Sequence, residues 1–222
     1  MTKKITLQIE KIFSKKNIKF KKMAYTRDWN GSFKQAVGTI GKKFDLCIEI
    51  GCFEGLTSNY IAENLLTESG RLLCIDPLTD SYLVQNVDEG DKEKNSEHWG
   101  YFSGQYARFE ENTRDNVQNN KIILYRNTSD NILPSLRDQY LGKIDFIYVD
   151  GDHRDFAVYS DAVNSFELCK ENGYILFDDY LWEDLSNQKT TKKGIDRFLS
   201  EFSEHLTIII HSHEVLVQKI KK

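Results

Sequence analysis

Residues 45–55 have the sequence DLCIEIGCFEG, and this stretch decides the fold. Its first six residues are mostly apolar and predict a buried strand. Glycines at positions 51 and 55 let the backbone turn sharply and approach a ligand closely. Residues 56–66 continue with apolar residues at helical spacing. The stretch therefore predicts a strand, a glycine turn and a helix, which is the repeating unit of a parallel α/β protein.

The same unit recurs along the rest of the chain. Apolar runs predict further strands at residues 71–75, 121–125, 144–149 and 174–177, and helical patterns predict helices at 131–140, 156–169 and 194–202. This alternation predicts a mostly parallel sheet with helices on both faces, joined by right-handed crossovers. The last two strand-like runs, 206–211 and 214–220, are so close in sequence that only an antiparallel hairpin can join them.

The first 43 residues precede this pattern and are predicted to be a helical extension of a domain at 44–222. Ile5, Ile9 and Ile12 recur at helical spacing, and a second helix is expected to end near residue 41. Residues 1–22 carry eight lysines. Such a charge run predicts either a solvated helix face or a surface for an acidic partner, a neighbouring subunit of a homodimer included.

A second irregular region lies at residues 78–104, where no apolar periodicity is found. The segment is highly charged at 88–94 and is followed by Trp99, Tyr101 and Phe102. Long loops in compact domains are commonly lids or binding loops. We expect a substrate lid here, with a solvated surface insertion as the alternative.

Composition excludes several classes of protein. The net charge of −4 argues against nucleic acid as a partner, because binding the phosphate backbone requires clustered positive charge. No apolar run approaches the roughly 20 residues that a membrane-spanning helix needs. The four cysteines show no paired spacing, and three lie in apolar runs, which predicts free thiols and a cytoplasmic location.

The ends of the first two strands indicate a cofactor site. Glu49 to Gly55 form the glycine turn, and ligands of open parallel sheets bind at this carboxyl edge. The turn lacks the GxGxxG fingerprint, since Phe53 replaces a glycine, so an NAD-dependent oxidoreductase is disfavoured. Asp76 ends the strand at 71–75 and can accept hydrogen bonds from both hydroxyls of a ribose. Its alternative role is to cap the turn before Pro77.

The ends of two later strands are rich in acidic residues. Asp150 follows the strand at 144–149, with Asp152 and His153 beside it, and Asp178 and Asp179 follow the strand at 174–177. Carboxylates crowded together raise each other's pKa unless a cation compensates them. An all-oxygen ligand set favours a hard ion such as Mg²⁺, with Mn²⁺ or Ca²⁺ as alternatives. Helix capping by these aspartates is the competing explanation.

Taken together, four motifs resemble a known family. EIGCFEG (49–55), CIDP (74–77), FIYVDGDH (146–153) and GYILFDDY (173–180) are similar to class I S-adenosylmethionine-dependent methyltransferases of the macrocin O-methyltransferase type. The resemblance covers roughly residues 44–218. It implies a Rossmann-like seven-stranded sheet with a terminal antiparallel strand.

The resemblance also implies a role for each matching position. The predicted contacts to S-adenosylmethionine are Glu49, Gly51, Phe53, Gly55, Thr57, Ser58, Asp76, Ser129 and Asp150. Within this set the glycine turn holds the methionine part, Asp76 the ribose, and residues 127–129 lie beside the adenine. The implied metal ligands are Asp150, Asp178 and Asp179. Asp152 is the implied general base, and the neighbouring His153 is the alternative base.

These residues predict an O-methyltransferase that uses a divalent metal, Mg²⁺ or another hard cation. Its acceptor is expected to be a small hydroxylated molecule of the sugar type. Vicinal hydroxyls, as on a sugar or a catechol, would chelate such an ion. Two alternatives stay open: a related metal enzyme that does not transfer methyl groups, and a catalytically silent cofactor-binding scaffold that docks through the lysine-rich segment.

Overall fold

A computed structural model of the protein describes residues 29–78, 105–183 and 188–221. Its helices are α1 (Trp29–Ile40), α2 (Leu56–Tyr60), α3 (Gln105–Gln118), α4 (Ser129–Tyr140), α5 (Asp155–Leu168) and α6 (Thr190–Glu201), with a π-helical turn at Ile61–Leu65 and a 3-10 turn at Ser203–His205. Its strands are β1 (Phe44–Ile50), β2 (Leu66–Ile75), β3 (Ile122–Tyr125), β4 (Ile144–Val149), β5 (Cys169–Phe177), β6 (Leu206–His211) and β7 (Val215–Lys219).

The seven strands form one sheet in the order β3-β2-β1-β4-β5-β7-β6. Strands β1 to β5 pair in parallel, whereas β7 is antiparallel to both β5 and β6. The predicted fold class, a Rossmann-like and mostly parallel sheet closed by an antiparallel hairpin, is therefore confirmed. The chain winds from β1 outward to β3, then returns to the other side of β1 with β4, which places the switch in strand order between β1 and β4.

Two strands begin five residues earlier than the sequence pattern predicts. β2 starts at residue 66 rather than 71, and β5 starts at 169 rather than 174. Each begins with a buried residue, continues through exposed polar residues and then re-enters the sheet at a glycine. A Cβ on Gly70 would lie 2.7 Å from the Phe44 carbonyl oxygen, so the backbones approach closely there. The polar interruption hides the first part of each strand from a periodicity count.

Helix α3 follows the residues that we assigned to the loop, and no apolar pattern predicts it. Its buried positions are spaced as a helix requires, but only Phe109 among them is apolar, the others being Gln105, Thr113 and Asn116. Polar contacts fix this face: the Asn116 side-chain amide donates a 2.7 Å hydrogen bond to Asn59 Oδ1. A helix that buries polar residues is invisible to hydrophobic periodicity.

The sheet is covered on both faces. Helices α4, α5 and α6 pack on one face, and α1, α2 and α3 pack on the other. In α1, the fully buried Phe33 contacts the ring of Tyr148 with centroids 4.8 Å apart. Burial of one such side chain stabilises the fold by about 1.5–3 kcal/mol. The only described part of the predicted N-terminal extension is thus joined to the core, while residues 1–28 and the predicted lid at 79–104 lie outside the described residues.

Candidate active site

The carboxyl ends of four strands are aligned at one edge of the sheet. Ile50 is the register partner of both Ile75 and Val149, and Val149 is the partner of Phe177. These are the last residues of β1, β2, β4 and β5, so the residues that follow them must meet. The predicted cofactor residues and the predicted metal ligands are therefore brought to one place.

Two adjoining cavities lie at this edge. The larger has a volume of about 490 Å³ and is lined by Ser32, Glu49, Gly51, Cys52, Phe53, Glu54, Leu56, Thr57, Asp150, Asp178, Asp179, Leu181, Trp182 and His213. The smaller, of about 320 Å³, is lined by Ile50, Gly51, Phe53, Ile75, Asp76, Pro77, Gln105, Thr128, Ser129, Asp150, Gly151, Asp152 and His153. Gly51, Phe53 and Asp150 line both. The cavities therefore form one groove that passes over the glycine turn.

The two glycines of the turn are needed for packing as well as for ligand access. Both have a φ of 82°, a left-handed conformation that L side chains rarely adopt. A Cβ on Gly51 would lie 1.9 Å from the Asp150 carbonyl oxygen, because the turn crosses the end of β4. A Cβ on Gly55 would lie 2.4 Å from Thr113 Cγ2 of α3. Gly55 is therefore needed for close packing against α3, and its contact with the cofactor stays a prediction.

Asp76 joins the end of β2 to the glycine turn. Its Oδ2 accepts a 2.9 Å hydrogen bond from the backbone N–H of Phe53, and its Oδ1 accepts a 2.7 Å bond from that of Leu78. Burial raises the pKa of Asp76, although these backbone donors act in the opposite direction. Asp76 thus serves as the turn cap considered above, and it also lines the smaller cavity together with Ser129.

Glu49 is a fully buried carboxylate on the floor of the larger cavity. Its Oε2 accepts hydrogen bonds from the Ser58 hydroxyl and, at 3.5 Å, from the Cys74 thiol. Its Oε1 has no hydrogen-bond partner in the described part of the chain. Burial raises the pKa of Glu49 to about 8. Ser58 therefore holds Glu49 from behind, whereas Thr57 lines the cavity itself.

Three donor atoms converge beyond the end of β4. Asp150, His153 and Asp179 each offer one ligand atom, and these atoms lie within 4.8 Å of one another. His153 Nε2 is 3.7 Å from Asp150 Oδ1 and 3.3 Å from Asp179 Oδ2. Burial would lower the pKa of His153, but the neighbouring carboxylates outweigh it and raise the pKa. Burial and the charge of Asp178 raise the pKa of Asp150. Two carboxylates and an imidazole suit a divalent cation.

The remaining two predicted site residues are already engaged. Asp178 Oδ2 accepts a hydrogen bond from the Tyr148 hydroxyl, and its Oδ1 accepts a 2.8 Å bond from the backbone N–H of Asp179. Asp152, the predicted base, pairs with the Arg154 guanidinium through both carboxylate oxygens. Asp152 lines the smaller cavity, while Asp178 lines the larger one.

Several residues of the site received no individual role from the sequence. Tyr148 lies within the apolar run of β4 and has the pattern of a core residue. Trp182 lies against His153, with ring centroids 4.8 Å apart. Glu214 is buried at the hairpin, where desolvation raises its pKa to about 7 and the charges of Asp178 and Asp179 act in the same direction. No periodicity marks Trp182 or Glu214, because both approach the site from irregular segments.

A sequence model of the methyltransferase-domain family (Methyltransf_24) matches residues 48–180, which is more than half of the chain. The protein belongs to this methyltransferase family, and its sheet has the fold of the class I S-adenosylmethionine-dependent methyltransferases. The class predicted from the four motifs is therefore confirmed. The macrocin O-methyltransferase type within that class stays a prediction.

Individual relatives are distant. A protein of Acanthamoeba polyphaga mimivirus, the uncharacterized protein R132, is 29% identical over 133 residues, which cover 60% of this chain and 50% of R132. The chain thus spans about half the length of that curated relative. An O-methyltransferase from Bacillus cereus, solved in complex with SAH, has a TM-score of 0.60 at 15% identity and covers 97% of this chain and 90% of its own.

A second solved structure is similar to the same degree. It is TomG, an O-methyltransferase from Streptomyces achromogenes involved in tomaymycin synthesis, in complex with SAM. Its TM-score is 0.60 at 12% identity, with 99% of this chain and 90% of TomG covered. At these identities the likeness shows the fold alone. Among the described residues, no helix is both long and apolar enough to cross a membrane.

Proposed function

We propose that this protein is an S-adenosylmethionine-dependent O-methyltransferase that uses a divalent cation to methylate a small hydroxylated acceptor of the sugar type. The names of the Bacillus cereus and Streptomyces achromogenes neighbours support oxygen as the methylated atom. The single observation that carries the proposal is the groove itself, because its two cavities join at Gly51, Phe53 and Asp150. This shape would accommodate the adenosine part of the cofactor in one cavity and the methionine part in the other, with the reacting atoms beside Asp150.

The smaller cavity would hold the adenosine part of the cofactor. Asp76 keeps lone pairs beyond its two backbone bonds and would accept hydrogen bonds from the ribose hydroxyls. Ser129 begins α4 on the opposite wall, where the adenine would lie. The free Oε1 of Glu49 would receive the ammonium group of the methionine part in the larger cavity. An unpaired buried carboxylate oxygen is costly, so a cationic ligand there is favourable.

Methyl transfer then needs an activated acceptor oxygen. Bound S-adenosylmethionine would supply the methyl group from its sulfonium, the new C–O bond forming as the C–S bond breaks and its electron pair stays on sulfur. A divalent cation would be held by acidic residues at the end of β4 and β5 and would lower the pKa of the acceptor hydroxyl. The hydroxyl proton passes to a base of this chain.

Asp152 and His153 are the two candidate bases. The Arg154 guanidinium pairs with both carboxylate oxygens of Asp152, so this pair must open before Asp152 can accept a proton. His153 lies between Asp150 and Asp179, whose charges raise its pKa and strengthen it as a base. The partner Arg154 is half-exposed, so its pairing with Asp152 can exchange with solvent or acceptor.

Calorimetry with S-adenosylmethionine, with and without Mg²⁺ or Mn²⁺, tests the proposal. Micromolar cofactor binding together with metal uptake supports it. Cofactor binding with no metal uptake would remove the metal from the mechanism and favour the silent scaffold.

Release of S-adenosylhomocysteine should then be measured with hydroxylated sugars and with catechols. Turnover with sugars in preference to catechols supports the proposed acceptor class, whereas metal uptake without any methyl transfer would favour the non-methylating enzyme.

Location and assembly form a separate part of the proposal. All four cysteines are buried free thiols, which supports a reducing compartment such as the cytoplasm. The homodimer is proposed on the lysine-rich segment alone, which lies outside the described residues. Sedimentation of the full chain with and without residues 1–22 tests it, and a monomer in both cases would contradict it.

A further inference from the structure

We infer that the cation is held by Asp150, His153 and Asp179, with Asp178 acting as a positioning residue, and that this mixed nitrogen and oxygen donor set prefers Mn²⁺ to Mg²⁺. This assignment rests on the proposed metal-assisted function and, because it uses His153 as a ligand, leaves Asp152 as the base. It departs from the three-carboxylate set of Asp150, Asp178 and Asp179 that the sequence motifs imply.

The Nε2 atom of His153 is available to coordinate a cation. This atom is buried, and no hydrogen bond of good geometry reaches it from the described residues. The nearest carboxylate oxygens are those of Asp150 at 3.7 Å and Asp179 at 3.3 Å. The ring of Trp182 packs against the imidazole and restricts its orientation. A buried nitrogen without a well-formed hydrogen bond costs about 1–3 kcal/mol, and coordination of a cation would remove this cost.

Asp178 is not one of these three converging donors. Tyr148 is fully buried, and its ring is fixed by edge contact with Phe33, so its hydroxyl holds one oxygen of Asp178 from within the core. The second oxygen accepts a hydrogen bond from the backbone N–H of Asp179. The same hydroxyl lies 3.4 Å from Asp150 Oδ2. Tyr148 therefore connects the ends of β4 and β5 and orients Asp150 through a shared hydrogen-bond network.

The turn after β5 separates the two adjacent carboxylates. Asp179 has a φ of 53°, a left-handed conformation that aspartate tolerates better than most residues. With this conformation the side chain of Asp178 contacts Tyr148 while that of Asp179 contacts His153. One carboxylate of the pair is thus held by a core tyrosine, whereas the other contacts His153.

The donor set decides which metal is preferred. Mg²⁺ favours oxygen ligands in a nearly ideal octahedron and retains its waters. Imidazole nitrogen favours transition metals, and affinity rises from Mn²⁺ onward along the first row. Replacing one carboxylate by His153 therefore shifts the preference away from Mg²⁺.

The test is metal binding by the full chain loaded with S-adenosylmethionine and without acceptor. Mn²⁺ affinity is measured by electron paramagnetic resonance, Mg²⁺ affinity by competition, and imidazole coordination by the ¹⁴N modulation of the Mn²⁺ spin echo. The wild-type protein should show the ¹⁴N modulation. His153→Ala should lose it and should lower the ratio of Mn²⁺ to Mg²⁺ affinity about tenfold.

Three further variants serve as comparisons. Asp178→Asn and Tyr148→Phe should weaken both metals to a similar extent, keep the ¹⁴N modulation and leave the ratio of affinities unchanged. His205→Ala, which removes a histidine of the 3-10 turn that lines neither of the two cavities, should change nothing.

Bound Mn²⁺ without ¹⁴N modulation in the wild-type protein would overturn the inference, and this result depends on no variant. The inference would also be overturned if His153→Ala kept both the ¹⁴N modulation and the wild-type ratio of Mn²⁺ to Mg²⁺ affinity. That result would favour the three-carboxylate site. If the cofactor-loaded protein takes up no cation at all, the metal-assisted function fails as well, which is a distinct outcome.

Discussion

The backbone N–H of Phe53 donates a 2.9 Å hydrogen bond to Oδ2 of Asp76, which joins the glycine turn after β1 to the end of β2. The second oxygen of the same carboxylate accepts a hydrogen bond from the backbone N–H of Leu78. A single side chain thus shapes the wall of the cofactor groove and offers its remaining lone pairs to the ribose. Stability and cofactor affinity are coupled at this residue.

Asp76→Ala should lower both quantities. Two backbone donors lose their acceptor, so the free energy of unfolding should fall by about 1–3 kcal/mol, measured by urea denaturation. Affinity for S-adenosylmethionine, measured by calorimetry, should fall at least about tenfold, because one charged hydrogen-bonding group is worth about 1.5–3 kcal/mol. Asp76→Asn keeps one acceptor oxygen and should retain more of the stability. Unchanged cofactor affinity in Asp76→Ala would place the ribose elsewhere.

Gly51→Ala should be far more destabilising than Gly142→Ala. Both glycines have a positive φ, of 82° and 65°, so both substitutions carry a backbone penalty of about 1 kcal/mol. Only at Gly51 would the new Cβ overlap backbone, 1.9 Å from the Asp150 carbonyl oxygen, whereas Gly142 has open space around it. Thermal unfolding of the two variants gives the comparison. Similar losses of stability would show that the turn can move away from β4.

Asp179→Asn should separate the metal from the cofactor. The variant removes one charged ligand beside His153. Although Asp179 lines the larger cavity, it does not line the smaller one, which would hold the adenosine part of the cofactor. Metal-stimulated methyl transfer should fall by about tenfold or more, while affinity for S-adenosylmethionine stays within about twofold of the wild type. The two readouts are turnover with added metal and calorimetry without it. An equal loss of cofactor binding would mean that the cation site and the cofactor site are not distinct.

Glu49→Gln should change how stability depends on pH. Burial raises the pKa of Glu49 to about 8 from 4.5 in a free glutamate. Between these values the folded protein keeps a proton that the unfolded chain has released, so the free energy of unfolding falls as pH rises, by up to about 1.4 kcal/mol per pH unit. The neutral glutamine removes this loss. The variant should therefore gain stability relative to the wild type from pH 5 to pH 8.

The comparison is the difference between the two unfolding free energies, because Asp161 and Glu214, each with a pKa raised to about 7, contribute to both proteins. Glu68→Gln, at an exposed position of β2, is the matched control. A constant difference between Glu49→Gln and the wild type across this pH range would show that the carboxylate is solvated in the ligand-free protein.

Much of the fold followed from local patterns. Five apolar runs alternating with helical stretches are enough to predict a parallel sheet, because burial on both faces requires strands that are apolar throughout. The elements that the apolar patterns did not predict have a common cause. The early halves of β2 and β5 and the whole of α3 carry polar residues in ordered positions, which are fixed by hydrogen bonds such as that from Asn116 to Asn59.

For the site, sequence reasoning identified the strand ends but could not divide the roles among them. The sequence alone gives no reason to assign different roles to the adjacent aspartates at 178 and 179. The structure separates them, since Tyr148 holds the first and His153 contacts the second. Asp152 is likewise paired with Arg154, two residues away, which its position in the motif does not reveal.

The sequence by itself determined the class of the protein, because a glycine turn and acidic residues after buried strands must meet at the carboxyl edge of a parallel sheet. Only the tertiary structure decided which carboxylates remain free for a ligand. The hydrogen bond from Tyr148 comes from a neighbouring strand and that from Ser58 from a helix, whereas that from Arg154 comes from the same turn. The direction of all three depends on packing. Residue spacing places groups near one another, whereas packing decides which lone pairs are already used.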